Sequence, residues 1–121
     1  MDRKRFTKIE RLAVYNKCNG HCAYCGCELD IRDMQVDHIY PIHKFIPAMG
    51  NPNDMNNLLP ACRSCNHRKS TFTVEKFRTE IEKGLKVLER DSATYRNMVR
   101  FGLLEPKPHK VIFYFEKHKE D

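Results

Sequence analysis

The sequence predicts a small α+β domain: two short strands and a helix clamped by paired cysteines, with one helix before them. A helical extension ending in a short strand follows. Three observations predict this. Cys22 with Cys25 and Cys62 with Cys65 make two C-x-x-C pairs. Two strand-like runs, "MQVDHI" and "NLLP", lie between the pairs. Apolar residues then recur at helical spacing from Val74 onward. The chain has 121 residues, enough for one domain with a modest core. We expect a single domain over residues 1–121, with a core about 18–72 and an extension about 73–121.

The N-terminal helix is expected over "KIERLAVYNKC". Thr7 opens it as a capping box with Glu10, Ile9, Leu12 and Tyr15 face inward, and Gly20 ends it. Two cysteines and Gly26 within residues 22–33 read as a tight turn. The strand at residues 34–39 alternates Met34, Val36 and His38 against Gln35, Asp37 and Ile39. Pro41 cannot donate to a ladder and should end it. From Pro41 to Asn57 the chain is rich in Pro, Gly and Asn, a loop of a length that is either functional or disordered.

"CRSCNHRKS" reads as the opening of a helix, with Ser64 or Asn66 able to cap it. Val74, Phe77, Ile81, Leu85 and Leu88 mark an amphipathic helix of roughly four turns, in which Gly84 costs about 1 kcal/mol relative to Ala. "SATYRNMVRFG" should form another helix, ending near Gly102. "KVIFYFEKH" is β-branched and aromatic, hence a strand or an extended arm.

Lys and Arg number 22 against 16 Asp and Glu, a formal charge of +6 and a pI near 9.1. That balance favours an anionic partner, nucleic acid first. No apolar run approaches the roughly 18 to 20 residues of a membrane span, and "MDRKRFTKIER" is charged where a secretory signal carries an apolar stretch. A reducing cytoplasm is therefore expected. There, six cysteines are read as metal ligands before disulfides. Two C-x-x-C pairs describe a tetrahedral site of four thiolates, Cys22, Cys25, Cys62 and Cys65, suited to structural Zn²⁺ with no open position for water. The competing reading, a redox pair of the thioredoxin kind, leaves the second pair unexplained and lacks a βαβ pattern. Cys18 and Cys27 are left over and read as buried spare thiols, although Cys27 is near enough to compete as a ligand.

Such a clamp would bring Asp37 and His38, Asn57, and Asn66, His67, Arg68 and Lys69 into one neighbourhood. Few cores require so many polar groups, each costly if buried alone. Here "CAYCG", "VDHIYP", "NNLLPACRSCN" and "HRK" stand in the order found in the HNH endonucleases, which the sequence resembles from residue 22 to about 70. The resemblance implies a ββα-metal core that hydrolyses nucleic-acid phosphodiesters with one divalent cation. His38 corresponds to the general base, Asp37 to a cation ligand and Asn57 to the asparagine that steadies the hairpin. Asn66 corresponds to the second cation ligand. Many members carry His at that position, and with His67 next door the ligand could be either residue.

The chemistry suits these residue types independently of the resemblance. Hydrolysis needs water deprotonated near neutral pH, which imidazole can do. A carboxylate and an amide oxygen suit Mg²⁺ or Mn²⁺. Arg68 and Lys69, with His67, are expected to hold nucleic-acid phosphate. His21 and His43 stay open between a site role and an exposed loop. The leading expectation is a bacterial or phage endonuclease acting on double-stranded DNA, the alternative a catalytically silent zinc module that binds nucleic acid or a protein. Residues beyond 74 are long enough for DNA contacts, a homodimer interface or a protein partner.

Overall fold

A computed structural model describes residues 5–117; the first four and last four residues, and with them the ends of the expected single domain and His118, lie outside the described residues. The described chain falls into two compact units. One takes the chain up to Val74 and from Ile112 onward, and the other runs from Glu75 to Val111.

In the first unit, helix α1 (Lys8–Asn16) opens with the expected capping box: the Thr7 side chain accepts from the Glu10 amide and the Glu10 carboxylate accepts from the Thr7 amide. Its inward face differs from expectation. Ile9 and Leu12 are exposed and Val14 is fully buried, packed with Met34, Val36 and Leu58 and flanked by Phe6, Tyr15 and Leu29. The reason is anchoring. Arg11 donates to the carbonyls of Ile31 and Met34, and the Tyr15 hydroxyl donates to that of Leu29, so the polar residues of α1 set its rotation against the chain entering the sheet.

Strands β1 (Gln35–His38) and β2 (Leu58–Ala61) form an antiparallel pair in which Asp37 faces Leu59 and His38 faces Leu58. The expected alternation gives way to burial of Val36, Asp37 and His38 alike, because protein covers both faces of the strand. Pairing ends at His38, before Pro41. The connecting loop is ordered by three single-turn 3₁₀ segments, Ile42–Lys44, Pro47–Met49 and Met55–Asn57. Helix α2 (Arg63–Lys69) follows β2, and its cap is Cys62, whose sulfur accepts from the Cys65 amide, rather than Ser64 or Asn66.

The single four-turn helix of the sequence reading is two, α3 (Val74–Glu82) and α4 (Gly84–Asp91), parted at Lys83 beside the weak helix former Gly84; from Glu75 on they belong to the second unit. Helix α5 (Ala93–Arg100) is capped by Ser92 and terminates before Gly102, as expected. The buried Arg78 donates to the Val111 carbonyl and pairs with Glu75, while Glu82 accepts from the Val111 amide.

Where the sequence suggested a terminal strand or arm, the first unit instead has a single helical turn, α6 (Tyr114–Lys117). The chain arrives there without a ladder. Tyr114 and Phe115 donate their amides to the carbonyls of Tyr24 and Ala23, and the rings of Phe113 and Phe115 meet Tyr24 edge-on. Those side chains seat the segment on the first cysteine turn. Gly26 has φ +81°, and a Cβ there would come 2.8 Å from the Tyr114 ring, so only glycine fits this turn beneath the returning chain.

Candidate active site

The cysteine turn and the start of α2 bring five thiols together. The sulfurs of Cys22, Cys25, Cys27 and Cys62 all lie within 4.8 Å of one another. Cys65 adjoins them, its thiol hydrogen-bonded to Cys22 and Cys62. Cys27 is thus exposed at the cluster rather than a buried spare, whereas Cys18 is buried as expected. The donor set fits zinc. With Zn–S bonds of about 2.3 Å, tetrahedral sulfurs lie about 3.8 Å apart, and Cys25 and Cys62 sulfurs are 3.9 Å apart. Backbone amides of Cys62 and Cys65 donate to the sulfurs of Cys22 and Cys62, each at 3.3 Å. Hydrogen bonding from Cys65 holds the Cys22 thiol well below the usual range, against the opposing effect of burial. A thiolate is the form a metal requires.

Tyr24, inside the cysteine turn, reaches the carboxylate of Asp37. The Tyr24 hydroxyl donates to its Oδ2 at 2.5 Å, and the Lys69 ammonium reaches Oδ2 at 3.1 Å and Oδ1 at 3.3 Å. Lys69 also donates to the His38 carbonyl at 2.9 Å. The sequence reading gave Lys69 to nucleic-acid phosphate. Instead it is 0% exposed, because its position on α2 turns it toward the buried Asp37 carboxylate. Burial pushes the Asp37 carboxyl up, while Lys69, Tyr24 and His38 pull it back. Burial and the neighbouring negative charge of Asp37 push Tyr24 upward too, so its hydroxyl remains a donor. Three acceptor positions of Asp37 are engaged and Oδ1 keeps room for one more contact.

His38 presents the other side of β1. Its Nε2 lies 2.8 Å from the Asn53 Oδ1. Nδ1 makes no hydrogen bond to protein among the described residues, where every fully buried side-chain nitrogen or oxygen has a partner. Nδ1 is therefore reached by solvent. Asn57 is a clasp: its Oδ1 accepts from the Tyr40 amide, and its Nδ2 donates to the carbonyls of Tyr40 and Pro52. It joins the end of β1 to the loop that carries Asn53.

Asp37, His38, Asn66, His67 and His43 line one open cleft of about 610 Å³. Asn66 is half-buried and His67 exposed, so both cation candidates named from the sequence border the same space. Arg68 is exposed on α2 outside the cleft lining. His21 faces elsewhere, stacked on Tyr114. The sequence reading missed Tyr24 and Asn53. Neither has a periodic signal: one is an aromatic inside a cysteine turn, the other one of many asparagines in a loop.

Residues 22–72 match the family profile described as HNH endonuclease. This segment is an HNH endonuclease domain. Its fold resembles part of the crystal structure of the Type II-C Cas9 enzyme from Actinomyces naeslundii, with a TM-score of 0.53 and 26% identity over 66% of this chain and 9% of that one. A Septu protein PtuB of Bacillus thuringiensis is 37% identical over 71 residues, 54% of this chain and 25% of that protein. The SPbeta prophage-derived YoqL of Bacillus subtilis is 31% identical over 70 residues, 52% of this chain and 30% of that protein. The chain thus spans a third or less of each of these proteins.

Proposed function

We propose that this protein is a divalent-cation-dependent endonuclease that hydrolyses phosphodiester bonds in double-stranded DNA. The observation that carries the reading is a single cleft bordered by a buried carboxylate, a solvent-reached imidazole nitrogen and an amide on α2. His38 takes the proton of the attacking water through Nδ1. Asp37 and Asn66, oxygen donors on facing elements, hold a Mg²⁺ or Mn²⁺ ion, with His67 the other candidate on α2. A cation bound there supplies charge stabilisation for the phosphoryl and leaving oxygens. Lys69 and Tyr24 keep Asp37 ionised and fixed, and His67 and Arg68 bind flanking phosphates. Cys22, Cys25, Cys62 and Cys65 hold structural Zn²⁺; Cys65 takes the fourth corner because it contacts two other members and sits on the helix the clamp must secure.

The +6 charge supports an anionic substrate. Among the described residues no helix is long and apolar enough to cross a membrane, and we place the protein in the cytoplasm of a bacterium or an infected cell. A homodimer or protein-partner contact, where there is one, falls to the C-terminal extension from about residue 73 onward. Supercoiled plasmid incubated with Mg²⁺, Mn²⁺ or EDTA tests the reading. We expect cation-dependent cutting that His38→Ala reduces by about 10²- to 10⁴-fold with zinc content unchanged. Equal cutting by wild type and variant would refute it.

A further inference from the structure

We propose that Asn53 is a positioning residue for His38, fixing which imidazole nitrogen faces the cleft. This deepens the proposed function and rests on it. An amide oxygen cannot donate, so the 2.8 Å contact between the Asn53 Oδ1 and Nε2 requires the hydrogen on Nε2. The lone pair of the neutral ring is then on Nδ1, the nitrogen that solvent reaches. After Nδ1 takes a proton from water, the ring carries hydrogens on both nitrogens, and Oδ1 still accepts the one on Nε2. Asn53 thus supports the ring before and after the transfer without exchanging a proton itself.

The loop is built to keep that oxygen in place. The Asn53 amide donates to the Asn51 side chain, closing a local turn. The neighbouring Pro52 is fully buried, and its carbonyl accepts from Asn57. Asn57 in turn grips the Tyr40 backbone two residues beyond His38. The imidazole and the oxygen that orients it are therefore tied to one another twice, once directly and once through Asn57.

The test compares Asn53→Ala, Asn53→Leu and Asn53→Asp in the zinc-loaded full chain. Cutting of a labelled duplex is measured at saturating Mg²⁺, and the tautomer is read from ¹⁵N resonances of histidine-labelled protein without Mg²⁺. We expect Asn53→Ala and Asn53→Leu each to lower kcat by about 10- to 100-fold with KM unchanged. Asn53→Asp, which keeps an acceptor oxygen, should retain most of kcat. In the wild type the His38 Nε2 should carry the hydrogen. A wild-type ring protonated on Nδ1 alone, or a kcat for Asn53→Leu equal to wild type while His38→Ala is inactive, would overturn the role of Asn53 and leave the endonuclease reading standing. If His38→Ala itself cuts at the wild-type rate, the parent reading fails instead.

Discussion

The thiol cluster and the cleft lined by Asp37 and His38 are assembled on different principles. At the cluster the side chains are alike and face mainly one another: five sulfurs, with backbone amides as their chief other partners. At the cleft the side chains are all different, and each is held by another of opposite character: Asp37 by Lys69 and Tyr24, His38 by Asn53, and the loop by Asn57. Repeated chemistry at fixed spacing marks a place whose geometry an ion can impose. Unlike groups gathered from distant parts of the chain mark a place whose geometry the protein must impose.

Perturbing the cluster should have the largest effect. Zinc binding in small structural sites is worth roughly 10–16 kcal/mol, so Cys22→Ser or Cys62→Ser should abolish zinc binding and cooperative unfolding together, as read by metal analysis and thermal melting. Cys65→Ser should lose more zinc than Cys27→Ser. The reverse order would move the fourth ligand to Cys27.

At the cleft the effects should be graded. Lys69→Met removes the cationic partner of a buried carboxylate, a class of change that costs about 3–5 kcal/mol; urea unfolding at neutral pH should show it with zinc still bound. A smaller loss, by about 1.5–3 kcal/mol, is expected for Tyr24→Phe, which deletes one hydrogen bond to a charged group. That variant also sharpens the contrast through pH. Burial already raises the Asp37 carboxyl, and Tyr24 is one of the groups pulling it down. Without the hydroxyl the carboxyl rises further, and protons compete with the cation to higher pH. The Mg²⁺ concentration for half-maximal cutting should therefore increase more at pH 6 than at pH 8. An increase equal at both would mean that Tyr24 acts through packing alone.

The same distinction governs what could be read from the sequence. The cysteine pairs, the two strands around Asp37 and Asn57, and the capping box at Thr7 are local patterns with fixed spacing, and the structure contains them. Asp37, His38 and Asn66 do border one cleft. Legibility failed where a residue's role depends on which way an element is rotated. Ile9 and Leu12 satisfied a helical stripe, yet Arg11 and Tyr15 turned α1 to bury Val14. Lys69 satisfied a basic helix face, yet it is buried and paired with Asp37. Asn53 was indistinguishable from any turn asparagine until the loop was seen folded back over the strand.

The return of Phe113 to Phe115 onto Tyr24 has a consequence for timing during synthesis. Translation delivers the cysteine turn, both strands and α2 early, but the aromatic residues that brace Tyr24 emerge only after the whole Glu75–Val111 unit has been made. A ribosome-bound chain holding only the HNH segment would contain Asp37 and the Tyr24 hydroxyl that donates to it, and would still lack the rings that pack edge-on against Tyr24.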